Sequence, residues 1–161
     1  MAKKNTGKVT IFALGGVGEI GKNMYVIQYG NDIVVIDAGL KFPEEDMLGI
    51  DVVIPDISYL IEHKDQVRGI LVTHGHEDHI GGLPYVLKHL NVPVYGTKLT
   101  IGLIESRLKE TNMLGETRRV VIDSNSVVKL GSITASFFRT NHSIPDSVGI
   151  ALETPEGLIV H

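Results

Sequence analysis

The stretch "THGHEDHIGG", Thr73 to Gly82, constrains this chain more than any other. It places three histidines and an aspartate within six positions, His74 to His79, of a chain that holds seven histidines in all. The apolar run Val67 to Val72 precedes it and reads as a buried strand. Gly82 to Leu90 follows, with apolar residues at 83, 86, 87 and 90, a helical period. The cluster therefore sits where a strand gives way to a helix. Side chains two apart on extended chain point the same way, so His74 and His76 converge on one point. Asp78 and His79, at the turn into the helix, aim at a second. A polar loop with incidental histidines is the bland alternative, and it leaves the full H-x-H-x-D-H pattern behind an apolar strand without a reason. Gly75 and the Gly81-Gly82 pair are expected to allow a strained turn and close packing.

Composition narrows what such a loop can hold. There is no cysteine, so a thiolate site and a disulfide framework are both excluded. Any metal is held by nitrogen and oxygen, and imidazole with carboxylate suits zinc, manganese or iron. A mixed cluster of this kind more often leaves a position for water than closes a structural site. Two such ions about 3.5–4 Å apart can clamp the oxygens of a displacement reaction. The net charge of −4 and pI of 5.9 lack the basic footprint of a module that holds nucleic acid by charge alone. No run of about 18 apolar residues exists, so no membrane span is expected. The N-terminal "MAKKNTGK" has no apolar stretch behind it, which argues against a signal peptide and for a cytoplasmic protein.

The rest of the chain reads as one domain, or part of one, with strand-rich ends and helices between. Strands are expected at 9–14, 23–29, 33–37, 92–95, 118–122, 127–130, 133–139, 147–152 and 158–161. Helices are expected at 57–62, 82–90 and 99–108. Gly30-Asn31-Asp32 makes the second and third strands a hairpin, and Thr154 to Gly157 turns between the last two.

"GVGEIG", Gly16 to Gly21, satisfies the G-x-G-x-x-G spacing of a dinucleotide loop, and Asp37 lies downstream. The context fails. A phosphate cradle needs a helix after the glycines, and a hairpin follows instead. A tight turn between strands is the default reading. A second is that this loop lets backbone approach a catalytic site.

These residues carry a family resemblance. "THGHEDHIGG" resembles the signature of the metallo-β-lactamase fold, Asp37 in "VVIDAG" its first motif, and His142 in "TNHSIPDS" its third. By itself His142 also reads as a surface histidine in a turn; its place after a strand favours ligation. "ALGGVGEIGKN", "IDAGLKFPEEDMLGIDVVIPD", "PVYGTKLTIGL" and "SFFRTNHSIPDSVGI" extend the likeness across nearly the whole chain, to bacterial ribonuclease J of the beta-CASP branch. "VVIPDISYLIE" and "PVYGTKLT" look closer to the second of the two Gram-positive paralogues.

The resemblance implies an α/β fold, an αββα sandwich of mixed sheets with outer helices, and a hydrolase that cleaves RNA phosphodiesters. Cleavage would run 5′-to-3′ exonucleolytically and also endonucleolytically, in RNA maturation and decay such as rRNA processing. It assigns His74, His76 and His142 to one zinc and Asp78 and His79 to another, with manganese as the alternative metal. Asp78 and His76 would be catalytic, with Asp78 helping to orient the attacking water. Asp37 would support the ligand loop from behind. Gly16, Gly18, Glu19, Gly21 and Asn23 would line the site. A structural calcium would take backbone oxygens near Leu48 and Ile50, where a plain loop is the alternative. The expected partners are RNA, further copies of the chain and a paralogous subunit. The family departs from this sequence at "EGLIVH", where its strand continues into a bridging aspartate. Residues 1–161 are thus expected to be the N-terminal portion of the metallo-β-lactamase domain, without the beta-CASP and C-terminal domains, and inactive alone. Such a part would leave inner sheet faces partly uncovered. Two other readings compete: a weakly active or structural subunit that supports an active paralogue, and a different hydrolase on the same fold, such as a thioesterase or lactamase. "GGVGEIGKN" and "SIPDS" argue against the last.

Overall fold

The computed structural model describes residues 7–161. Ten strands form two sheets that stack face to face. The first sheet has six strands in sequence order: β1 (Val9–Gly15), β2 (Met24–Tyr29), β3 (Asp32–Ile36), β4 (Val67–Leu71), β5 (Val94–Gly96) and β6 (Arg119–Val121). β1, β2 and β3 pair antiparallel, and β3 through β6 pair parallel. The second sheet is antiparallel, in the order β10 (Gly157–Val160), β9 (Val148–Thr154), β8 (Ile133–Arg139), β7 (Val127–Leu130).

The parallel pairs need crossovers, and helices supply them: α1 (Ser58–Glu62), α2 (Glu77–Ile80), α3 (Leu83–Leu87) and α4 (Lys98–Glu110). One cluster of buried side chains, including Val26, Val35, Ile70, Leu83, Ile104 and Leu108, joins these helices to the first sheet. A second, including Ile27, Val34, Ile36, Leu71, Ile133, Ile150 and Leu152, fills the space between the sheets. Val34 and Val35 are neighbours and go to opposite cores, as the two-residue period of a strand covered on both faces demands.

The anticipated elements are present with shifted bounds. The strand expected from Val92 begins at Val94, since Pro93 has no amide to give the ladder. The helix expected over 82–90 is shortened to the five residues of α3, and the unforeseen α2 precedes it on the histidine-rich loop. The rejected dinucleotide reading stays rejected, because β1 and β2 form an antiparallel pair around the glycine loop.

The expectation of partly uncovered inner faces holds only at the edge of the larger sheet. The two inner faces cover each other across most of their width. Ile11 is 56% exposed on edge strand β1, since four strands cannot cover six. The larger uncovered apolar surface lies instead on the outer face of the second sheet. Val127, Phe138, Leu158 and Val160 are exposed there among the described residues.

Candidate metal centre

β3 and β4 run parallel and end side by side, which brings Asp37 beside Thr73. The loop that leaves β4 then turns through α2. A helix this short leaves most of its carbonyls without internal partners, and neighbouring backbone supplies donors. The amides of Leu40, Asn23 and Ala38 donate to the carbonyls of Glu77, Asp78 and His79 at 3.2, 3.0 and 2.8 Å. Such an approach tolerates no side chain between the strands. A Cβ on Gly39 would sit 1.6 Å from the Asp78 carbonyl oxygen, and one on Gly82 would sit 2.6 Å from the Gly39 carbonyl oxygen. The close packing expected of Gly81-Gly82 is therefore real, but strain is not its cause. Gly81 and Gly82 have φ of −66° and −79°, ordinary right-handed values.

Asp37 anchors the loop. It is fully buried and takes φ of 60°, a conformation that Asp and Asn enter more readily than most residues. Its Oδ1 accepts from the Thr73 amide at 2.8 Å, and its Oδ2 from the Thr73 hydroxyl at 2.8 Å. Oδ2 also lies 2.7 Å from His79 Nδ1. A carboxylate only accepts, so His79 carries its proton on Nδ1 and turns a free lone pair outward on Nε2. The Thr73 hydroxyl, spent on Asp37, is 2.9 Å from His74 Nδ1 and accepts from it. Hence His74 also presents a bare Nε2. One buried carboxylate thus sets the tautomers of two histidines, one directly and one through Thr73.

The His74 lone pair meets two further imidazoles. His74 Nε2 is 3.1 Å from His76 Nδ1 and 3.0 Å from His142 Nε2, and one ligand atom from each of the three residues lies within 4.8 Å of the others. Nitrogen lone pairs facing one another repel unless a cation stands between them, so the donor set fits a divalent metal held by three imidazoles. Asp78 and His79 lie alongside, with His79 Nε2 3.6 Å from Asp78 Oδ2 and the His74 and His79 rings 4.0 Å apart. No third imidazole or carboxylate joins them in a second cluster among the described residues. Burial pushes the His74 pKa down to about 4, helped by the neighbouring His79 and opposed by Asp37. This keeps His74 neutral and available as a ligand. Burial acts the same way on His79, but the hydrogen bond and charge of Asp37 outweigh it and raise its pKa.

His142 arrives from the second sheet, 68 residues after His74. The loop between β8 and β9 is clasped at its neck, where the Thr140 amide donates to the Ser147 carbonyl at 3.2 Å and the Ser147 hydroxyl to the Thr140 carbonyl at 3.1 Å. The Val148 amide donates to the Thr73 carbonyl at 3.0 Å and stitches the two sheets together at the site.

Of the glycine loop, Asn23 reaches the centre. Its Nδ2 is 3.1 Å from Asp78 Oδ2 and 3.2 Å from His79 Nε2. A Cβ on Gly16 would strike Asn23 Oδ1 at 2.4 Å, and Gly16, Gly18 and Gly21 all take positive φ, which explains the glycines. Glu19 pairs with Lys22 at 3.1 Å instead of entering the cluster. Leu48 and Ile50 lie in an exposed turn around Gly49, at φ of 79°. Sequence reasoning missed the bridging role of Thr73 and the pairing of Glu77 with Arg107 of α4, which steadies the loop at its middle. The first had a weak signal in the hydroxyl next to His74; the second had none.

Comparison with known proteins agrees with this architecture. The chain is 59% identical over 160 residues to ribonuclease J2 of Bacillus subtilis and 48% identical over 161 residues to ribonuclease J 2 of Staphylococcus aureus. It is covered over 99% and 100% of its length and spans 29% of each of those proteins. Among solved structures, the metallo-beta-lactamase fold protein YhfI of Bacillus subtilis superposes with a TM-score of 0.65 at 16% identity, over 95% of this chain and 61% of that one. A protein of unknown function from Enterococcus faecalis V583 superposes with a TM-score of 0.71 at 19% identity, over 95% of this chain and 42% of that one. The family model of the metallo-beta-lactamase superfamily matches residues 17–157, and the chain belongs to that superfamily.

Proposed function

We propose that this chain is the N-terminal portion of the catalytic domain of a metal-dependent ribonuclease. The enzyme would hydrolyse RNA phosphodiesters by 5′-to-3′ exonucleolytic and endonucleolytic cleavage, in the maturation and decay of RNA, including rRNA, in the cytoplasm. The carrying observation is the convergence of His74, His76 and His142 beside Asp78 and His79. The names of the relatives supply the substrate. His74, His76 and His142 hold one zinc or manganese ion, and Asp78 and His79 contribute to a second. A divalent ion held by these residues would supply Lewis acidity, drawing the pKa of a coordinated water down toward neutral. Asp37 and Thr73 hold the imidazoles in the tautomers that ligate. Asn23 keeps the Asp78 carboxylate in place, where it orients the attacking water. The same reading puts a structural calcium on the backbone oxygens of Leu48 and Ile50. It also pairs the chain with further copies or with a paralogous subunit. No helix among the described residues is long and apolar enough to cross a membrane.

In a polypeptide of the relatives' length, His76→Ala is expected to abolish most cleavage of 5′-monophosphorylated RNA and to keep the circular dichroism spectrum. The 161 residues alone are expected to be inactive, since Asp78 and His79 lack a third ligand among the described residues. Wild-type protein with no bound zinc or manganese, still active in chelator, refutes the reading. Cleavage that appears only when an active paralogue is added favours the supporting-subunit alternative.

A further inference from the structure

A cavity of about 760 Å³ opens next to the metal centre. This is within the roughly 300–1,000 Å³ usual for small-molecule sites. It lies between the ends of β6 and β8 and the first turn of α4, and the His142 ring forms part of its wall. The same ring directs Nε2 at His74, so the cavity and the metal centre share a side chain. Lys98, at the start of α4, and Arg139, at the end of β8, both line it; both are exposed, and neither forms an ion pair among the described residues. Lys98 opens the thirteen-residue α4, whose first turn has no side-chain cap. The Thr97 hydroxyl instead donates to the Asp146 carbonyl at 3.0 Å. The positive end of α4 thus adds to the two cations.

The lining is mixed, which decides among ligands. Val121 and Ile144 offer apolar surface, and Asn141 and Ser124 offer polar groups. Asp123 and Asp146 also line the wall and offset the cations. The Asp123 carboxylate accepts from the Asn125 amide and the Ser126 hydroxyl of its own turn, both at 2.9 Å. Such a site suits no small free anion. It suits a unit with an apolar, hydrogen-bonding ring and a charge at each end.

We propose that this cavity is the subsite for the nucleotide adjoining the scissile phosphate, with its base inside and its flanking phosphates on Lys98 and Arg139. The proposal rests on the ribonuclease reading. Fluorescence anisotropy of a labelled, cleavage-resistant 2′-O-methyl RNA octamer tests it, with zinc-loaded protein of the relatives' length as wild type and as the Lys98→Ala/Arg139→Ala double variant. The variant is expected to bind RNA about tenfold or more weakly. Its slope of log affinity against log salt should be shallower by about 1.4, two phosphate contacts at about 0.7 each for a single strand. Zinc content by elemental analysis should stay unchanged, and millimolar inorganic phosphate should not compete. Wild-type affinity and salt slope in the double variant overturn the subsite while the ribonuclease reading stands, as does competition by phosphate. Zinc-loaded wild type that binds no RNA overturns both.

Discussion

Asp37→Asn separates the two things that Asp37 does. Asparagine keeps the shape and tolerates the φ of 60°, so backbone strain does not enter. What changes is one oxygen into a donor. If the amide nitrogen takes the place of Oδ2, it faces the Thr73 hydroxyl and His79 Nδ1, two groups that now donate to that oxygen. His79 then has to move its proton to Nε2, the nitrogen that faces Asp78 and would ligate. If the amide turns over, its nitrogen meets the Thr73 amide, donor against donor, in a fully buried place. Either way one buried donor is left unsatisfied, at about 1–3 kcal/mol. In a domain of this size each kcal/mol is about 2–4 °C in melting temperature, so a fall of about 2–12 °C is expected in metal-free protein. The metal sees more, because the tautomers of His74 and His79 both hang on this carboxylate; a partner of this kind is worth about 10–100-fold in affinity. Calorimetric titration with zinc against a competing chelator, beside thermal melts of the metal-free protein, measures both. A melting temperature that falls with zinc affinity untouched refutes the account and leaves Asp37 a strand-end residue that only shapes a turn.

Three further outcomes follow from the packing. Asp32 accepts from Arg68 Nε at 2.6 Å and from the Ser132 amide and hydroxyl at 2.7 Å each, tying the first sheet to the β7–β8 turn of the second. Burial raises its pKa, but the Ser132 and Arg68 hydrogen bonds outweigh this and hold it below the ordinary value. A carboxyl whose folded pKa is depressed stabilises above its unfolded pKa, near 4, and loses that contribution as pH falls through the folded value. Asp32→Asn should therefore cost about 1–2 kcal/mol at pH 7, discounted for the partly exposed Arg68. The gap from wild type should close in acid-unfolding curves as pH falls below the unfolded pKa and through the folded one; a gap constant with pH counts against the linkage. Gly39→Ala should cost more than about 3 kcal/mol and lose zinc, since its Cβ would overlap the Asp78 carbonyl; a variant that melts and binds zinc like wild type contradicts the close approach. Gly102→Ala, mid-way along α4 with open space around it, should instead add about 0.8–1 kcal/mol, read as a rise of about 2–4 °C.

The sequence by itself determined most of the elements and half of the centre. Alternating and helical apolar periods are local properties, so β2, β3, β8 and α4 were readable within a residue or two. His74 and His76 converge because they stand two apart on extended chain, which needs no knowledge of the rest. The tertiary structure decided what depends on residues distant in the chain. That Asp37 controls two tautomers follows from β3 and β4 ending side by side. His142 joins the cluster because the Val148 amide pairs with the Thr73 carbonyl across the two sheets; alone it could as well have been a histidine in a surface turn. The reason for Gly39 and Gly82 was equally hidden, since neither takes a positive φ and each is required only by backbone from a distant loop that presses against it. Local pattern settles where a side chain points along its own strand or helix. Which groups then meet is set by the burial of apolar faces from opposite ends of the chain, and that burial is a property of the whole fold.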